Sequence, residues 1–226
     1  INAIQFILFQ YSLYVRAKVK GTKAKIRLGA SSGEWKAMVV DETARTTFAK
    51  NIKTVLEKNK LDGIDLDFEW AENEKEYKDY SLAILKMREV LGDKYLFSVS
   101  LHPVCYKISK EAIEAVDFIS LQCYGPSPVR FPIEKYCSDI QMVLEYGIPK
   151  EKLVAGVPFY GATKDNSKKT EAYFNFVQNG LVTSPAQNEV IYQGDTYVFD
   201  GQDNIRIKTR YAKEQKLKGM MSWDLA

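Results

Sequence analysis

Residues Leu61-Asp62-Gly63-Ile64-Asp65-Leu66-Asp67-Phe68-Glu69-Trp70 alternate strictly between apolar and acidic. A period of two is the mark of a β-strand, because successive side chains leave a pleated chain on opposite faces. Ile64, Leu66 and Phe68 therefore face one way, and Asp65, Asp67 and Glu69 the other. Asp and Glu are poor strand formers, so the acidic face works against local propensity. In an antiparallel sheet such a face would simply meet water. In a parallel sheet both faces are normally covered, and three carboxyls there carry a high desolvation and repulsion cost. The strand's surroundings thus decide what its acidic row is for.

The rest of the chain supplies those surroundings. Strand-type apolar runs occur at Ile4–Phe9, Ala24–Leu28, Gly63–Phe68, Tyr95–Leu101, Phe118–Cys123, Leu153–Val157 and Met220–Trp223. Amphipathic helical segments separate them. One is capped by Asp41 and carries Phe48, Ile52, Val55 and Leu56 on its inner face. A second, over 73–91, aligns Tyr77, Tyr80, Ile84, Met87 and Leu91 and ends at Gly92. A third, over 133–146, aligns Tyr136, Ile140, Val143 and Leu144 before Gly147, and a last one lies around 206–217. Strand and helix in alternation predict parallel strands with helical crossovers. Both a (β/α)8 barrel and a doubly wound sheet fit that count. Polar or aromatic residues gather at strand C-terminal ends, at Glu69-Trp70, His102, Gln122-Tyr124 and Trp223-Asp224. In a barrel those ends converge on one mouth.

The spacing within the acidic row suggests its chemistry. Side chains two apart on a strand lie roughly 6–7 Å apart. Neighbouring carboxyls resist simultaneous ionisation, so one keeps a proton and can act as a general acid. Glu69, nearest the mouth and longest, is the natural proton donor. Asp67, one step deeper, suits a substrate group and developing charge. Asp65, deeper still, suits sharing a proton with Asp67.

Other chemistries have little to stand on. The net charge is only +3 with both signs interspersed, and the basic run Arg16–Lys23 reads as a solvated helix face and turn, so no nucleic-acid partner is expected. No apolar run reaches membrane-spanning length. The one histidine, His102, rules against a Ser-His-Asp triad or a multi-His metal site and reads as a hydrogen-bonded wall residue. Cys105, Cys123 and Cys137 match no metal spacing and read as thiols. No metal or cofactor is expected.

The segment Asp62-Gly-Ile-Asp65-Leu-Asp67-Phe-Glu69 resembles the signature of the family 18 glycoside hydrolases, the chitinase family. Further segments are similar to that family in the same order. Lys25-Ile-Arg-Leu-Gly-Ala-Ser-Ser-Gly33 looks like its third strand and Val116–Tyr124 like its sixth. Lys152-Leu-Val-Ala-Gly-Val-Pro-Phe-Tyr160-Gly161 looks like its seventh, and Gly219-Met-Met-Ser-Trp223-Asp224 like its eighth. The resemblance implies an α/β fold, a (β/α)8 barrel, with residues 1–226 forming one catalytic domain. Ile1–Phe9 looks like the second strand, so the first is expected to lie outside this sequence and the domain to be incomplete at its N-terminus. A short helix and hairpin are expected as an insertion around 162–200, the hairpin over Glu189–Asp200.

The resemblance also implies a retaining, substrate-assisted hydrolysis of β-1,4-linked N-acetylglucosamine chains, an exception to the two-carboxylate scheme. Glu69 would protonate the glycosidic oxygen and later serve as base for water. The substrate's own acetamido oxygen would attack the anomeric carbon, giving an oxazolinium ion. Asp67 would bind the acetamido N–H, Tyr124 would hydrogen-bond its carbonyl, and Trp223 would floor the sugar site. Gln122 and Tyr160 would line the cleft, and Trp35 and Trp70 either stack on sugars or pack. The family places Asp or Asn after the sixth-strand tyrosine, where this chain has Gly125. Related readings are an endo-β-N-acetylglucosaminidase acting on N-glycans and a chitin-binding lectin. A monomer is expected, and the family resemblance implies export, to the medium, the periplasm or the cell surface.

Overall fold

The computed structural model describes residues 21, 24–31, 34–124, 131–165 and 169–224. Ile1–Phe9, most of the basic run Arg16–Lys23, and Gly125 lie outside the described residues. In chain order the elements are β1 (Arg27–Ser31), α1 (Trp35–Met38), α2 (Glu42–Asn59), β2 (Gly63–Asp67), α3 (Glu74–Leu91), β3 (Leu96–Leu101), α4 (Lys110–Ala115), β4 (Phe118–Leu121), α5 (Ile133–Tyr146) and β5 (Leu153–Pro158). There follow β6 (Tyr160–Thr163), β7 (Thr170–Ala172), α6 (Tyr173–Gln178), β8 (Glu189–Tyr192), β9 (Asp195–Val198), α7 (Gln202–Glu214) and β10 (Gly219–Trp223). The chain divides into two compact units. One comprises the residues up to Val99 together with Ile108–Asp117, the other Ser100–Lys107 with Phe118 onward.

In the first unit β1 pairs in parallel with β2, Arg27 opposite Gly63, Gly29 opposite Asp65 and Ser31 opposite Asp67. The sequence placed this strand three residues earlier, at Ala24; pairing with β2 sets the true register. β3 lies beside β2. Gly63 makes that approach possible, since a Cβ there would come 1.9 Å from the Leu96 carbonyl oxygen. Helix α2 starts where the Asp41 carboxylate accepts from the Ala44 N–H at 2.8 Å, a cap worth about 1 kcal/mol. It buries Ala49, Ile52 and Leu56. Asn73 caps α3 in the same way, accepting from the Glu76 N–H at 3.0 Å, and Tyr80, Ile84, Met87 and Leu91 are buried along its inner face. Trp35 is 1% exposed and stacks on Phe68 at 5.2 Å, so it is a packing residue.

In the second unit β4 pairs in parallel with β5, and β5 with β10. Helix α5 ends at Gly147, whose φ of +112° is the left-handed conformation glycine adopts without strain. A separate four-stranded antiparallel sheet has the order β7-β6-β9-β8. Its hairpin β8–β9 and the short helix α6 fall within residues 162–200. Strands β6 and β7 were not foreseen, because their short mixed sequences carry no alternation. Phe176, Val190, Tyr197 and Phe199 form the core of this part. Among the described residues no helix is long and apolar enough to cross a membrane.

Candidate active site

The acidic row divides as its alternation requires. Ile64 and Leu66 are fully buried and Phe68 is 1% exposed. Asp65 and Asp67 are half-buried, while Glu69 and Trp70 beyond the strand are exposed. Trp70 is 37% exposed, unlike Trp35. The Glu69–Trp70 and Trp223–Asp224 peptides are cis.

Asp65 is held from both sides. Its Oδ1 lies 3.2 Å from Arg27 Nη1. The Ser98 hydroxyl donates to the same oxygen and accepts from the same Nη1. Three neighbouring strands, β1, β2 and β3, thus each contribute one member. Gly29 stands opposite Asp65, and Arg27 lies two residues earlier on the same face of β1. The sequence reading did not find Arg27 or Ser98. The missed signal was a basic residue in phase with the acidic face of an adjacent parallel strand.

The second unit holds the remaining residues singled out from the sequence. Gln122 is half-buried, its backbone N–H donating to the Leu101 carbonyl at 2.8 Å. Tyr124 is 6% exposed, and its hydroxyl approaches Met221 Sδ at 3.9 Å. Its ring meets Tyr160 edge-on, centroids 6.2 Å apart, and Tyr160 in turn meets Phe131 edge-on at the same separation. Trp223 ends β10 with 56% of its surface exposed, while its carbonyl accepts from the Phe159 N–H at 2.7 Å. An indole so exposed, anchored through its backbone, suits stacking on a flat apolar ligand face. Gly156 makes room for the tyrosine: a Cβ there would lie 2.6 Å from the Leu121 carbonyl oxygen and 2.9 Å from Tyr124 Cε1. His102 is 3% exposed, and its Nδ1 accepts from the Val104 N–H at 3.3 Å.

The second unit also holds a buried charge pair. Lys208 of α7 and Asp200 have side chains 1% and 0% exposed and are hydrogen-bonded to one another. Lys208 Nζ also donates to the Phe131 carbonyl at 2.8 Å and sits 5.4 Å from the Tyr136 ring centroid. Burial pushes the Asp200 acid upward, and the Lys208 charge and hydrogen bond pull against it. Cys105 and Cys123 are buried free thiols and Cys137 a half-buried one. Burial pushes the Cys123 thiol up to about 12, with the Asp139 charge adding to it.

A profile of the Glycosyl hydrolases family 18 matches residues 8–226. The chain belongs to this family. The probable chitinase 2 of Drosophila melanogaster is 26% identical over 156 residues, which are 58% of this chain and 32% of that relative, so the chain spans about a third of the relative's length. Among solved structures, a chitinase from Bacteroides thetaiotaomicron superposes with a TM-score of 0.85 at 21% identity, covering 96% of this chain and 75% of its own. A chitinase-like agglutinin from Robinia pseudoacacia superposes with a TM-score of 0.76 at 18% identity, covering 96% of this chain and 80% of its own. The family 18 fold is therefore that of this chain, a (β/α)8 barrel in class. The acidic signature of the family falls on β2 and the two residues after it, where Asp67 ends the strand and Glu69 emerges from it.

Proposed function

We infer that the protein hydrolyses β-1,4-linked N-acetylglucosamine chains, as a retaining enzyme that uses the substrate's acetamido group as nucleophile. The observation that carries this reading is the graded acidic row, with Asp65 tethered inside, Asp67 half-buried at the strand end and Glu69 exposed beyond it. A proton donor must reach the leaving oxygen, and Glu69 has both the exposure and the length. Asp67 would take the acetamido N–H and stabilise the positive charge that develops as the oxygen attacks the anomeric carbon. Tyr124 would hold the acetamido carbonyl, Trp223 would stack under the sugar, and Gln122 and Tyr160 would line the cleft. The proton leaves Glu69 with the first step and returns to it from water in the second. A polymeric substrate of this kind places the enzyme outside the cytoplasm.

The test is turnover by the parent protein and by Glu69→Gln on chitotetraose and on a high-mannose glycopeptide. Cleavage of chitotetraose alone is the expected result. The Gln variant should lose nearly all turnover, on the order of 10²–10⁴-fold for a missing acid–base group, and still bind the sugar. Cleavage of the glycopeptide alone would point to an N-glycan hydrolase, and binding without turnover by the parent protein to a lectin. A Gln variant that works at the parent rate overturns the role of Glu69.

A further inference from the structure

We propose that Arg27 is a positioning residue for the carboxylate row, acting through Asp65 on Asp67. This rests on the hydrolase reading given above. The guanidinium and the Ser98 hydroxyl converge on one oxygen of Asp65, from strands on either side of it. The Arg27 and Asp65 side chains are 28% and 17% exposed. That is too enclosed for an ordinary surface ion pair, whose worth is near zero. It is also open enough to avoid the full desolvation cost of a dry pair.

Arg27 stands on a face that faces reacting carboxyls, where a cation has no packing purpose. Leu28 is the buried residue of β1, 1% exposed, and points the other way. A guanidinium is permanently charged, planar and stiff. Paired with Ser98, it holds the Asp65 carboxylate in one orientation. Asp67 follows two residues later on the same face, at roughly 6–7 Å. It therefore works beside a fixed and charge-balanced neighbour in place of a swinging like charge. A preset local field of this kind is what stabilises a charge that appears only during reaction.

Charge alone argues the opposite way, which makes the proposal testable. The reaction develops positive charge near Asp67. Deleting a nearby cation would, by Coulomb's law, help that charge and speed the reaction. A positioning role predicts a loss. Arg27→Gln keeps an amide donor on a shorter side chain and removes the cation. It should lower kcat on chitotetraose on the order of 10- to 100-fold, the range seen for small misplacements of reacting groups, with KM changed less than about threefold. Arg27→Lys restores the cation and should recover part of the lost kcat. Ser98→Ala, which removes the second donor and leaves the charge, should lower kcat by a smaller factor at unchanged KM.

A parent protein that turns over chitotetraose alongside an Arg27→Gln variant as fast or faster overturns this role alone. So does a loss in Arg27→Gln that Lys does not relieve. If Arg27→Gln fails to fold, the Lys and Ser98→Ala variants carry the test, and parent-level kcat in Ser98→Ala overturns it. A parent protein that binds the sugar without turning it over overturns the hydrolase reading and this role with it.

Discussion

Replacing Lys208 with Met would remove the cation of the buried pair and keep most of the apolar stem. The Asp200 carboxylate would then be left at 0% exposure with Asn204 Nδ2, 3.4 Å from its other oxygen, as the remaining donor described for it. The Phe131 carbonyl would lose its lysine donor as well. Removing one partner of a buried ion pair costs about 3–5 kcal/mol, against a total stability of about 5–15 kcal/mol for a domain. For a chain of this size each kcal/mol shifts Tm by about 2–4 °C, so a loss near 4 kcal/mol should lower Tm by about 8–16 °C. The pH dependence follows from Asp200. Its acid is already raised by burial, and without Lys208 it rises further. The folded variant then holds the proton more tightly than the unfolded chain. Stability is fully present below the ordinary aspartate value, about 3.9, and is lost as pH rises through the folded value. Urea unfolding at pH 5 and pH 7 should therefore find Lys208→Met relatively better off at pH 5. The double variant Lys208→Met/Asp200→Asn, neutral on both sides, should return to within about 2 kcal/mol of the parent. A single variant that loses less than about 1 kcal/mol at pH 7, or a double variant no better than the single one, refutes the reasoning.

Gly156→Ala forces a methyl to 2.6 Å from a backbone oxygen and 2.9 Å from the Tyr124 ring; urea unfolding should show a loss of about 1–3 kcal/mol, and kcat on chitotetraose should fall more than KM changes. Cys123 offers an alkaline signature. Its thiol titrates near 12 when folded and near 8.5 when unfolded, so the unfolded chain gives up its proton first and stability falls as pH rises between those values, by about 1.4 kcal/mol per pH unit. Cys123→Ala should flatten that decline by one proton's worth in urea titrations between about pH 9 and 11.

The acidic strand could be read from sequence because its information is local. One face had to be buried, and Ile64, Leu66 and Phe68 fill that face without interruption. Asp41, Gly92 and Gly147 marked helix ends for the same reason, since capping chemistry acts within a turn. Arg27 was hidden because β1 has no clear alternation. Its residues Gly29 and Ala30 are small, and its bounds follow from pairing with β2, thirty-odd positions away. Lys208 was hidden because a lysine on an amphipathic helix reads as solvated. Only the return of α7 onto Asp200 and the Phe131 carbonyl shows otherwise. Met221, against the Tyr124 hydroxyl, read as an ordinary apolar strand residue, and its neighbour across the sheet could not be inferred from spacing.

The missing side chain at 156 ties three positions into one inheritable set. With Leu121 backbone on one side, the Tyr124 ring on a second and the Met221 methyl on a third, none of them can grow alone. A descendant that kept the tyrosine would have to keep the glycine. One that traded the tyrosine for a smaller residue would still meet the Leu121 carbonyl at 156, and would give up the hydroxyl proposed to hold the sugar's acetamido group.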